Sequence, residues 1–183
     1  MSTIAWIFLI AVVAIAAIIV FAYLRQRRST RLRSRFGREY DHAVAQYGGR
    51  SSAEKALENR AERTERYQIR RLNDDEQHRF AEEWRQTQSR FVDDPSVAVR
   101  AADILVCEVM RVRGYPMTDF ERRAEDLSVD HPEVVKNYRT AHDIAEQDKQ
   151  QHASTEDLRR AMVCYRELFD DLLESHPAHL ERR

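Results

Sequence analysis

Four glycines, four prolines and two cysteines in 183 residues leave little with which to build tight turns, phosphate loops or a disulfide framework. A β-sandwich or barrel needs far more turn residues than this, so the chain reads as helical. No Walker loop and no dinucleotide fingerprint is present, because both need clustered glycines whose backbone approaches phosphate. Cys107 and Cys164 lie far apart, each inside an apolar helical pattern, and read as two buried, reduced thiols. No Cys or carboxylate falls at a spacing that completes a zinc quartet with the histidines. No Ser, Cys or Thr stands in a nucleophile motif. The residues therefore point to no cofactor, no metal and no catalytic group, and an enzyme is the least favoured class.

An excess of positive charge is also missing outside the N-terminal region. Of 30 Lys and Arg, seven lie within residues 1–38, which hold no acid, so residues 39–183 carry 23 basic against 31 acidic side chains, a net charge of −8. Nucleic-acid binding needs a basic face and is disfavoured on that ground.

What the sequence does have is one long greasy run. The 21 residues from Ile4 to Leu24 are drawn only from Ile, Val, Leu, Ala, Phe, Trp and Tyr. As a helix they span about 31 Å, matching a hydrocarbon core of about 30 Å. Thirteen are Ile, Val, Leu or Phe, together favouring insertion by about 4 to 8 kcal/mol. Trp6 and Tyr23 stand near the two ends, as interface-anchoring rings do. A cleaved signal peptide would need a basic leading segment, a shorter apolar stretch and small residues before the cut. Here Ile18, Ile19, Val20 and Phe21 fill the end instead. The run reads as an uncleaved anchor, and its alanines never recur at the spacing of four that marks a helix-dimerising face.

Arg25, Arg27, Arg28, Arg31, Arg33, Arg35 and Arg38 follow the run directly. Positive flanks stay in the cytoplasm, so the sequence predicts a single-pass protein of the cell membrane with its N-terminus outside and residues 25–183 cytoplasmic. The same arginines lie where the headgroups of an anionic leaflet would be, each contact worth about 1 kcal/mol. Topology alone would need fewer of them, and both roles stand open.

The expected architecture is all-α: a short external N-terminus (1–3), a transmembrane helix (4–24), an arginine-rich juxtamembrane segment (25–38), a charged helical linker (39–68), a compact bundle of about five helices (69–174) and a disordered tail (175–183). In the linker, Ser51 and Glu54 have the spacing of a capping box, and the helix they open is mostly charge, reading as a stalk or peripheral helix. Asn73 with Glu76 is a second such box, and Asp94 with Pro95 starts a third helix that Gly114 closes. Few polar residues interrupt Pro95 to Arg113, which predicts the central helix of the bundle. Thr118 with Glu121, Pro132 and Ser154 are read as three further starts. The last helix has the cleanest amphipathic spacing, with Leu158, Ala161, Met162, Tyr165, Leu168, Phe169, Leu172 and Leu173 on one face.

Few other residues invite a chemical reading. His176 and His179 share a helical spacing interrupted by Pro177, His142 reads as a packing histidine, and His131 as part of a helix start. Asp74-Asp75 and Asp93-Asp94 suit helix starts, and Asp170-Asp171 an outer, solvated face. Tyr115, in Arg113-Gly114-Tyr115-Pro116, is first part of a helix stop; exposed there, it would serve as a partner contact.

In Phe91-Val92-Asp93-Asp94-Pro95, Arg113-Gly114-Tyr115-Pro116 and Asp126-Leu127-Ser128-Val129-Asp130-His131-Pro132, the chain resembles a family of uncharacterised bacterial proteins. These pair an N-terminal hydrophobic segment with a charged helical region and are often labelled hypothetical or secreted. The likeness runs from Arg31 to Glu174 and rests on caps and loops, so it implies no activity. The expected function is a membrane-anchored adaptor or scaffold whose partners are the lipid bilayer, anionic phospholipid headgroups and a protein. The alternative is a tethered ligand-binding or regulatory domain.

Overall fold

The computed structural model describes residues 3–174, so the expected tail, with His176 and His179, lies outside the described residues. Among the described residues the chain is all-helical. In chain order the helices are α1 (Thr3–Phe36), α2 (Arg38–Gln46), α3 (Arg50–Thr64), α4 (Asp74–Ser89), α5 (Pro95–Arg113), α6 (Phe120–Asp130), α7 (Val135–Lys149) and α8 (Thr155–Glu174). A 3-10 turn, Arg90–Val92, links α4 to α5.

Two apolar clusters hold these helices. The larger is built from Ile69 onward, with α5 lying against α4, α7 and α8, and α7 along α8. Trp84 of α4 stacks on Phe169 of α8 at 4.7 Å between ring centroids. The apolar face read in the sequence for α8 is buried from Leu158 to Leu172, while Leu173, at its end, is only partly buried. α5 is central, but its apolar face is not wholly covered by neighbours, because Ile104 is 69% exposed and Val97 is also at the surface.

Local signals explain most helix ends. Asn73 accepts from the Glu76 amide while the Glu76 side chain accepts from the Asn73 amide, a complete capping box. Asp94 caps α5 with Pro95 behind it, and Gly114 ends the helix in the left-handed region at φ 97°. Ser154 and Asp157 close a reciprocal box at the start of α8. Three expected starts shift. α3 begins at Arg50 behind Gly49, with no side-chain cap, so the Ser51–Glu54 box does not form. Asp119, not Thr118, caps α6. α7 begins at Val135, three residues after Pro132.

The smaller cluster packs α3 against the domain as a peripheral helix, not as a free stalk. Leu32 and Phe36 of α1, Tyr40 and Ala43 of α2, Ala53, Leu57 and Ala61 of α3, and Val129 of α6 pack together. Phe36, Ala43, Ala53 and Leu57 have no exposed surface at all. The membrane-length helix thus runs unbroken through its arginines and supplies two core residues at its far end. Gly37 (φ 50°) then reverses the chain into α2. No flexible tether separates the apolar rod from the folded helices.

Candidate site around the arginine collar

α1 carries the expected anchor residues on a bare rod. Residues 10–36 have a mean hydropathy of 1.8 over their most apolar window, none of it buried, which is long and apolar enough to cross a membrane. Trp6 and Tyr23 are both exposed on this rod.

The seven arginines divide according to what the small cluster offers them. Arg28 pairs with Glu58 of α3. Arg33 reaches Asp41 of α2 at 3.1 Å and lies 5.8 Å from the Tyr40 ring. Arg35 is half-buried beside Phe36. Arg25, Arg27, Arg31 and Arg38 are exposed. Where α3 crosses α1, two clefts open on either side of the contact, with volumes of about 750 and 880 Å³. The first runs from Ala22 past Arg25, Ser29 and Arg33 to Tyr40, Arg50 and Glu54. The second sets arginines of α1 against Glu58 and Glu62 of α3 and Glu65 at its C-terminal cap.

Behind the collar lies a buried ionic network that no local pattern announced. Glu39, 3% exposed in its side chain, accepts from Arg60 at 3.0 Å and from Arg139 of α7 at 3.0 Å. Arg60, 1% exposed, also reaches Glu125 of α6 at 3.0 Å. Arg63 donates through Nε to Asp126 at 2.8 Å, and Tyr67 donates to the same carboxylate at 3.0 Å. Burial and the Asp126 charge push the Tyr67 phenol up, keeping it a donor. Partners here are separated by many turns of chain, so periodicity alone makes each of them look solvated. The network joins α2 and α3 to α6 and α7, and its composition of matched charges is structural.

Tyr115 follows the helix stop but is buried, so the partner contact that depended on its exposure is not available. It is 3% exposed, its hydroxyl donates to Asp130 at 3.3 Å, and it lies 3.1 Å from His131 Nε2. The other His131 nitrogen meets Asp171, so one of the two expected surface acids instead holds a buried histidine. A phenol, an imidazole and a carboxylate in line resemble a catalytic relay. Burial and the Asp130 charge raise the phenol well above its ordinary range, the wrong direction for a nucleophile. Beside it Arg113, fully buried, donates to the Leu172 carbonyl at 2.7 Å and the Arg70 carbonyl at 3.3 Å. These groups lock α5, α6 and α8 together.

Cys107 and Cys164 are free and partly buried, and burial raises both thiols. Inert packing thiols fit that environment better than redox centres. His142 stacks on Phe120 at 3.5 Å, the packing role read for it. Among the described residues no group of three His, Cys, Asp or Glu is placed to hold a metal ion. Comparison with family models, with curated proteins and with solved structures finds no match to this chain.

Proposed function

We propose that the chain is a single-pass membrane protein, N-terminus outside, whose acidic helical bundle works in the cytoplasm as an adaptor or scaffold for a protein partner. The observation that carries this reading is the continuity of α1 from its apolar stretch into the core, through Leu32 and Phe36. A signal sequence needs no such joint, because it is removed. A docking platform gains from one, because a rigid stem fixes both the height and the orientation of the domain above the bilayer. The arginines that follow the apolar run support the inward orientation. Bilayer and anionic headgroups are the lipid partners of this reading, and the matched, buried charges favour a structural domain over an enzyme.

The test is recovery of a stoichiometric protein partner from native membranes by the full-length chain, compared with a variant carrying a flexible Gly-Ser insertion after Thr30, upstream of Leu32 and Phe36. The insertion leaves the anchor intact and frees the domain from the rod. Loss of the partner with the variant still in the membrane fraction is the expected result. Recovery of the chain without any protein partner, or an insertion without effect, contradicts the reading.

A further inference from the structure

We propose that the cleft between α1 and α3 nearest the apolar run is a binding site for the phosphate-bearing headgroup of an anionic phospholipid, with Arg25, Arg33 and Arg50 as its cations. The proposal rests on the membrane-anchor reading above and sharpens its lipid contact from a diffuse collar to one site.

Position comes first. Ala22, Arg25, Ser29 and Arg33 follow one another at spacings of three and four, so they form a single stripe on α1. The stripe starts inside the apolar run and ends at the folded domain, crossing the depth where phosphate groups of a leaflet lie. α3 forms the opposite wall and contributes Arg50, which lies outside the 25–38 cluster.

Charge decides between the two clefts. On the α1–α3 cleft that holds Arg50, the single acid is Glu54, and its carboxylate already accepts from the Tyr40 hydroxyl at 2.9 Å. That hydroxyl lies 3.0 Å from Ser29 Oγ, which places a second polar group in the wall. Arg25 and Arg50 are exposed and make no ion pair among the described residues. Arg33 lies over the Tyr40 ring and pairs with Asp41, with side chains 61% and 64% exposed, an ion pair of the kind that exchanges readily for a better anion. In the other cleft Glu58, Glu62 and Glu65 face the arginines, and Arg28 is already committed to Glu58. Three cations against one occupied carboxylate leave an excess of two positive charges, whereas four arginines against three glutamates leave an excess of one in the other cleft. The volume of about 750 Å³ is within the range of small-molecule pockets, about 300–1,000 Å³.

A diffuse collar and a defined site differ in what Arg50 does. A collar attracts the leaflet through Arg25 to Arg38 and barely registers Arg50. A site loses one of its three cations. The experiment titrates phosphatidylglycerol, and separately phosphatidylcholine, into the full-length chain in detergent, counting bound lipid by native mass spectrometry. Arg50→Gln is compared with Lys55→Gln, an exposed cation elsewhere on α3. Expected is selective phosphatidylglycerol binding, weakened about five-fold by R50Q, the worth of one arginine contact, and unchanged by K55Q. Arg25→Gln gives the same reading should R50Q lower the melting temperature. Equal binding of the two lipids, or R50Q behaving like K55Q, overturns the site. Displacement of the lipid by glycerol 3-phosphate or inorganic phosphate would assign the cleft to a soluble phosphate and overturn the lipid assignment. Alkaline carbonate extraction of the native membranes separates the two levels. A chain that washes off brings down the anchor itself, whereas an insensitive R50Q on a carbonate-resistant chain brings down only the headgroup site.

Discussion

Arg60 and Glu39 meet at 3.0 Å with side chains only 1% and 3% exposed, and Glu39 accepts from Arg139 as well. One carboxylate therefore ties α3 and α7 to the first turn of α2, just after the membrane-length helix. Buried pairs of this kind add little net stability over apolar residues, but removing one member strands a charge without water or partner.

Glu39→Ala is expected to destabilise the chain toward the lower end of about 3–5 kcal/mol, because two guanidinium groups lose a buried carboxylate while Arg60 keeps Glu125 and Arg139 keeps Glu121. The double variant E39A/R60M, which removes the charge along with its partner, should lose less than the sum of the single changes. Denaturant unfolding of the full chain in detergent, followed by circular dichroism, measures both.

Phe36→Ala tests the joint between rod and domain. Phe36 has no exposed surface, so truncation should cost about 3–5 kcal/mol. Val92→Ala, at a residue 87% exposed, should stay within about 0.5 kcal/mol in the same assay. Equal effects would mean that α1 is not packed into the domain.

Gly114→Ala addresses backbone packing. A Cβ there would lie 2.5 Å from the Gln68 carbonyl oxygen, at a φ of 97°. Left-handed strain alone is worth about 1–2 kcal/mol, and backbone cannot step aside as a side-chain tip can. A loss of about 2 kcal/mol or more is expected, with the Arg70–Arg113 backbone bond losing protection in hydrogen exchange.

Acid should loosen the start of α4. The Arg70 guanidinium and the Asn73 amide hold the Glu76 carboxyl down to about 2, below its ordinary value near 4.5. A depressed acid stabilises the fold only while ionised, so its contribution is full above about 4.5 and disappears as pH falls toward 2. Glu76→Gln should be less stable than the natural chain at neutral pH, with the gap closing between pH 5 and 2. Parallel melting curves across that range would contradict the assignment.

The helices were legible in the sequence because their signals are local. Asn73-x-x-Glu76, Asp94-Pro95 and Gly114 are each read within a turn of chain, and α8 shows its buried face through spacing alone. Residues 39–64 were only partly legible, for the opposite reason. Arg60 and Glu54 resemble solvated helix residues until Glu39, Glu125 and Tyr40 close over them. Tyr115 showed its turn but not its burial, because its partners, Asp130, His131 and beyond it Asp171, arrive from α6, its C-terminal end and α8. Arg50, outside the arginine run, gave no sign of belonging with it until α3 was seen to cross α1.

The central claim is that α1 stays in the bilayer and holds the helical domain on the inner side. Alkaline phosphatase fused after Arg183 and expressed in bacterial cells tests it in one step, since the enzyme folds only after export. The account predicts an inactive fusion that stays in the membrane fraction; an active one, exported by an inverted anchor or by a cleaved leader, would contradict it.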